Sequence, residues 1–209
     1  MKVLYLIRHS IKEKECGIND SHDSRQIKDE KRILSIEGEQ LALKLSQLKE
    51  LQDIDEIWCS NYVRTIQTAK YISKNKLKLN ISTAFDERYY GDMDLNINKQ
   101  EFWIKQFIDP KLKCVNGESQ EDVRKRMENK INDLLDNSLG KKIAIITHNA
   151  CTLFYLLKYC ELIDAKVPKK LTIKYQNKIL IQNDIMKSPS IMKLEFDGRN
   201  LLNITYLDI

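Results

Sequence analysis

The sequence predicts an α/β fold organised around a mostly parallel central sheet. Two runs without a polar break, Val3–Ile7 and Ile143–Thr147, are rich in β-branched side chains. Such runs suit strands covered on both faces of a parallel sheet. Between and after them, stretches of helical periodicity alternate with short strand candidates, the pattern of an α/β chain. Both runs also stop at groups that seek water or an anion. The first ends at Arg8 and His9 and the second at His148, so two of the three histidines terminate buried strands.

The elements follow in order. Val3–Ile7 is the first strand. Residues 11–33 carry six basic and six acidic side chains and few apolar ones, and read as a solvated excursion. Residues 34–51 read as a helix with Leu34, Leu41, Leu45 and Leu48 on one face and Ser35 as its N-cap. Ile54–Cys59 is the next strand. Residues 61–73 form a helix that turns Tyr62, Ile66 and Ala69 to the core. Residues 77–83 are a short strand, and 85–113, interrupted by Pro110, an irregular or partly helical insertion. Residues 118–138 give the clearest helix: Ser119 and Asp122 resemble a capping box, and Val123, Met127, Ile131 and Leu134 or Leu135 form the apolar stripe. Gly140 precedes the strand Ile143–Thr147, and 151–160 continue as a buried helix. Ile191–Phe196 and Leu201–Leu207 form a hairpin around Asp197-Gly198. With no internal repeat or linker, residues 1–209 read as one domain with insertions at 11–33 and 85–113.

Composition narrows the function classes. The 209 residues are 42% hydrophobic and 31% charged, with a formal net charge of +5. That balance belongs to ordinary globular chains. No basic run is interleaved with aromatics, so nucleic acid is not the expected partner. The apolar start is too short for a secretory signal, and no stretch approaches the roughly 20 residues of a membrane span. No membrane partner is expected, and the expected location is cytoplasmic. The five cysteines show no CxxC spacing, so reduced thiols are expected rather than a disulfide framework or zinc site.

In open α/β sheets, ligands bind beyond the carboxyl ends of the strands. Arg8 and His9, Ser60 with Arg64 one helical turn later, and His148 all fall at that edge. The helices starting after Ser60 and His148 add backbone N–H groups, which favour anions. Taken singly, each group has a plainer reading. A histidine after a strand is usually a hydrogen-bonded core residue, and Arg64, opposite Tyr62, Ile66 and Ala69, is a solvated surface arginine. Helical side chains lean toward the N-terminus, however, so Arg64 can reach back over the strand ends. Together these groups point to a phosphate site.

At these residues the sequence resembles the histidine phosphatase superfamily, the phosphoglycerate mutase-like group. Arg8-His9-Ser10 is similar to its first motif, Arg-His-Gly. CSNYVRTIQTA places Ser60, Arg64, Gln67, Thr68 and Ala69 in register with its second. FDERYYGDM resembles the acidic motif, NGES at Asn116–Ser119 a motif before a helix, THN at Thr147–Asn149 the second histidine motif, and SIEGEQLA a helix start. Six matches in family order span residues 3 to about 157. The sequence departs from the pattern where Ser10 and Asn149 stand in place of glycines, and where no asparagine follows the first motif before Asn19.

The resemblance implies a three-layer α/β/α fold of the phosphoglycerate mutase type. It makes His9 the nucleophile, Glu87 the proton donor and His148 a further catalytic group. Arg8, Arg64, Ser10 and Asn149 would bind substrate, with no metal and no cofactor. It further implies a small phosphorylated substrate and metal-independent phosphomonoester hydrolysis through a phosphohistidine. Two alternatives stay open: a phosphoglycerate mutase, since ERYYG is close to the mutase form of the acidic motif, and a non-catalytic phospho-ligand binder. Specificity is expected from 11–33, 85–113 and the lysine-rich 166–178. Phe102, Trp103 and Phe107 would either line the pocket or fill the core.

Overall fold

The structure is a computed structural model and describes residues 1–14, 23–92 and 98–207. Six strands form the central sheet in the order β3-β2-β4-β1-β8-β9: β3 (Leu79–Ile81), β2 (Glu56–Cys59), β4 (Lys142–Thr147), β1 (Lys2–Arg8), β8 (Ser190–Asp197) and β9 (Asn200–Leu207). The first four are parallel, while β8 runs antiparallel to β1 and β9 antiparallel to β8. The predicted hairpin is therefore the antiparallel edge of a mostly parallel sheet.

Alternation along the central strands divides the core in two. Leu4, Leu6, Ile143 and Ile145 face one way and pack with α4 (Lys99–Ile108), α5 (Gln120–Asn137) and α6 (Asn149–Leu156). Tyr5, Ile7, Ala144 and Ile146 face the other way, toward Leu45 of α2 (Ile36–Leu45) and Ala69 and Ile72 of α3 (Val63–Ser73). Burial on both faces explains why β1 and β4 are unbroken apolar runs. The expected three layers are present.

Several boundaries differ from expectation. Ser35 caps α2 as predicted, but the helix stops at Leu45, and Lys49–Leu51 form a separate turn of 3-10 helix. The Ser46 hydroxyl donates to Leu43, and the Gln52 amide donates to the Ser46 and Leu48 carbonyls. These bonds satisfy carbonyls that a continuing helix would have used. The predicted capping box of Ser119 and Asp122 opens α5 with both bonds made. α6 starts two residues early, at Asn149, directly after β4.

The larger difference follows α6. A three-stranded antiparallel sheet, β5 (Glu161–Lys166), β6 (Lys170–Tyr175) and β7 (Lys178–Asp184), occupies a region read only as lysine-rich. Leu171, Ile173 and Tyr175 are buried on one face of β6 and join the α4–α6 side of the core. Lys170 and Lys174 take the opposite face, so the strand's period of two was hidden by counting lysines. Within the 11–33 excursion, α1 (Arg25–Glu30) is a short helix capped by Ser24. Cys16 and Asn19 fall outside the described residues. Cys59, Cys114, Cys151 and Cys160 are free thiols. No helix among the described residues is long and apolar enough to cross a membrane.

Candidate active site

The parallel register of β1 and β4 pairs Arg8 with Thr147, which brings His9 and His148 to the same sheet edge. Their ring centroids lie 5.2 Å apart, edge to face. His9 Nδ1 lies 2.7 Å from the Ser10 carbonyl. A carbonyl only accepts, so Nδ1 carries the proton and Nε2 keeps its lone pair. Arg64 Nε donates to that Nε2 at 3.1 Å. The same guanidinium donates through Nη2 to His148 Nδ1 at 3.2 Å, which puts the His148 proton on Nε2, facing Ser60 Oγ at 2.8 Å.

Both histidines are held neutral. Burial, then Arg64 and Arg8, push the His9 imidazole well below its usual pKa. Burial, then Arg64 and His9, do the same to His148. Arg64 is 1% exposed and reaches back over the strand ends, as the lean of a helical side chain predicts.

Arg8, His9, Arg64 and Glu87 line one cavity of about 300 Å³ with Lys12 and Asn149. The Arg8 Nε donor and the Asn149 Oδ1 acceptor have no hydrogen-bond partner among the described residues. Glu87 Oε1 accepts from Arg88 N at 2.9 Å and from Cys151 N at 3.3 Å. One N–H at the start of α6, expected to be free for an anion, is therefore taken by the Glu87 carboxylate. Asn149 and Ala150, in the same turn, still line the cavity. Among the described residues no three His, Cys, Asp or Glu side chains gather as metal ligands.

Two expected site residues are placed differently. Ser10 is fully buried and does not face the cavity: its hydroxyl donates to the Gly38 carbonyl at 2.6 Å and its N–H to Thr68 Oγ1 at 3.1 Å. These bonds tie the end of β1 to α2 and α3. His148, also fully buried, stands behind the cavity wall and meets the site through Arg64. Asn149, which stands where the family pattern has glycine, opens α6 in helical conformation.

The remaining motifs explain how Glu87 is held. Gly91 has φ +68°, and a Cβ there would lie 2.3 Å from the Val115 carbonyl oxygen, so this close crossing needs glycine. In NGES, Glu118 accepts from Tyr89 N at 2.9 Å and from Arg126 Nε at 2.7 Å. Arg126 donates in turn to the Ala84 and Asp86 carbonyls at 2.8 and 2.9 Å, and the Thr147 hydroxyl donates to Phe85 O at 2.7 Å. The segment carrying Glu87 is thus anchored to α5 and β4. At Gly38, a Cβ would lie 1.9 Å from the Ile11 carbonyl oxygen, which accounts for the glycine in SIEGEQLA.

The profile of the histidine phosphatase superfamily, branch 1, matches residues 4–179. The chain belongs to this superfamily. Among solved structures, a mycobacterial glucosyl-3-phosphoglycerate phosphatase in complex with VO3 is similar at 18% identity and TM-score 0.68, covering 100% of this chain and 98% of that one. Bacillus stearothermophilus YhfR is similar at 20% identity and TM-score 0.66, covering 97% and 95%. An alpha-ribazole phosphatase from Shigella flexneri is similar at 17% identity and TM-score 0.63, covering 98% and 95%. No curated protein sequence matches this chain.

In this member of the histidine phosphatase superfamily, five residues at or behind the site were not among those the sequence singled out. Lys12 and Asp29 come from the excursion, Tyr90 from the acidic motif segment, Lys169 from the β5–β6 turn and Arg126 from α5. Trp103 lines the cavity, whereas Phe107 packs between Trp103 and Phe154 in the core.

Proposed function

We propose that the protein is a metal-independent phosphomonoesterase that works through a phosphohistidine on His9. The observation carrying this reading is the tautomer of His9. With Nδ1–H on the Ser10 carbonyl and burial keeping the ring neutral, Nε2 has an available electron pair at the cavity wall.

In the first step Nε2 attacks phosphorus, the P–N bond forms and the bond to the leaving oxygen breaks. Glu87 gives that oxygen its proton. In the second step water attacks phosphorus, Glu87 takes the water's proton, and the P–N bond breaks to return neutral His9. Arg8 and Arg64 oppose the charge on the equatorial oxygens, which is the main demand of phosphoryl transfer. His148 acts one bond further back by orienting Arg64. The hydrogen bond from Arg64 Nε to Nε2 is given up as phosphorus approaches, freeing that donor for a phosphoryl oxygen.

The test is p-nitrophenyl phosphate hydrolysis in excess EDTA between pH 5 and 8, with His9→Ala beside the wild type. EDTA-resistant turnover that disappears in His9→Ala while the fold persists is the expected result. Full activity in that variant defeats the mechanism. Absence of turnover in the wild type, with phosphate exchange on 3-phosphoglycerate, favours a mutase instead.

A further inference from the structure

Tyr62 is 1% exposed, as its place on the inner side of the helix predicts, yet it joins neither half of the apolar core. A residue needed only to fill the core would sit among apolar side chains, whereas Tyr62 sits among groups of the site. The Arg64 guanidinium carbon lies over the Tyr62 ring, 4.6 Å from its centre. The His148 ring meets it edge to face, also at 4.6 Å. At the outer end of the ring, the hydroxyl accepts from the Gln26 amide, which donates as well to Glu30 Oε1 at 3.0 Å. The backbone N–H of Tyr62 donates at 3.3 Å to Ser60 Oγ, the oxygen that faces His148 Nε2.

The local chain explains this contact. Tyr62 is the N-cap of α3, and Arg64 follows in the first turn. Helical side chains lean toward the N-terminus, so Arg64 runs back over the residue that caps its own helix. Along its edge Arg64 donates to His9 Nε2, to the Asp29 carbonyl and carboxylate, and to His148 Nδ1. Those bonds are directional, and the one to His9 ends when phosphorus approaches. The attraction of a cation to the negative face of an aromatic ring depends far less on where the donors point. It therefore outlasts the exchange of donors, and burial away from water strengthens it.

We infer that Tyr62 is a positioning residue whose ring keeps Arg64 and His148 in place while Arg64 turns its donors to phosphoryl oxygens. This role rests on the phosphatase reading of the cavity, since it is a phosphoryl group that draws the donors away. The bond from Gln26 fixes the ring to α1. The excursion thus holds Arg64 twice, directly through Asp29 and indirectly through Tyr62.

The test replaces the ring without changing its shape. Tyr62→Phe is compared with versions of that variant whose phenylalanine carries one, two or three ring fluorines, which progressively drain the negative face. Binding of orthovanadate, which adopts the five-coordinate geometry of phosphoryl transfer, is measured by calorimetry, and Tm is recorded for each protein. Vanadate affinity should fall stepwise with fluorination, by about three- to thirtyfold over the series, the range of a cation–π contact, while Tm stays level. Tyr62→Leu, which has no ring, should bind vanadate no better than the most fluorinated protein. Equal affinity along the series, a loss that follows a falling Tm, or no binding of vanadate by the wild type overturns the inference. Hydrolysis of p-nitrophenyl phosphate by the same preparations reports separately on the phosphatase reading. Turnover with equal vanadate affinity along the series defeats the role of Tyr62 alone, and the stepwise fall without wild-type turnover defeats the phosphatase reading alone.

Discussion

Asp29 Oδ2 sits 2.9 Å from Arg64 Nη2, so a carboxylate from the excursion neutralises the buried arginine that also contacts His9. Burial pushes the Asp29 carboxyl up, but Arg64 and Lys12 outweigh it and leave its pKa below the usual value. At neutral pH Asp29 is therefore an anion on the guanidinium that a phosphoryl group would need.

Asp29→Asn removes that charge and keeps the side chain's shape. The inhibition constant of inorganic phosphate, measured against p-nitrophenyl phosphate, should fall about three- to tenfold, the scale of a partly buried ion pair. Weaker phosphate binding in the variant would mean that Asp29 instead holds Arg64 in place for the substrate.

Glu87→Gln keeps the length of the side chain and removes the proton donor. Turnover of alkyl phosphates, whose leaving oxygens need a proton, should drop about 10²- to 10⁴-fold, the usual contribution of general acid catalysis. For p-nitrophenyl phosphate the loss in the phosphorylation step should be much smaller. Equal losses for both leaving groups would remove Glu87 from the acid role.

Arg126 touches neither His9 nor the cavity, yet it fastens the carbonyls on the chain leading into Glu87. Arg126→Met should therefore act through Glu87. Its kcat should fall about tenfold or more for alkyl phosphates, in line with the cost of misplacing a catalytic group. KM should change little, and the loss should again be smaller for p-nitrophenyl phosphate. A uniform loss across leaving groups, tracking a lowered Tm, would assign Arg126 to stability alone.

The histidines make stability depend on pH. His9 and His148 have folded-state values well below the ordinary 6.5, so below pH 6.5 the unfolded chain binds protons that the folded chain refuses. Stability should hold above pH 6.5 and decline as pH falls from there toward the folded values, by at most about 1.4 kcal/mol per pH unit for each histidine. Urea midpoints at pH 7.5 and 5.5 check this. The difference should shrink in His9→Asn/His148→Asn, and a difference of equal size would place the acid sensitivity in other groups. For the same reason, activity should persist below pH 6.5, because the nucleophile stays neutral there.

Where chemistry is local, the sequence was legible. Arg8, His9 and His148 sit at the ends of runs whose burial on both sheet faces follows from composition alone. Arg64 is delivered by the first turn of the next helix, and Glu87 by its motif. The placement of Ser10 and His148 was not legible in this way. Whether a side chain beside the nucleophile faces the cavity or the layer behind it depends on packing: Ser10 turns to Gly38, and His148 to Arg64 and Ser60.

The sequence by itself determined the α/β class, the strand ends that gather the site and the groups expected to grip and attack a phosphoryl ester. Each of these follows from periodicity or from a short local motif. Only the tertiary structure decided which cations and carboxylates surround that group. Asp29 meets Arg64 across 35 positions of sequence, and Arg126 meets Ala84 across 42. Lys169 arrives on a sheet whose alternation was concealed by its lysines. A charge in a solvated-looking segment carries no local mark of the partner it will meet. That partner is fixed only when the chain folds back and brings the two together.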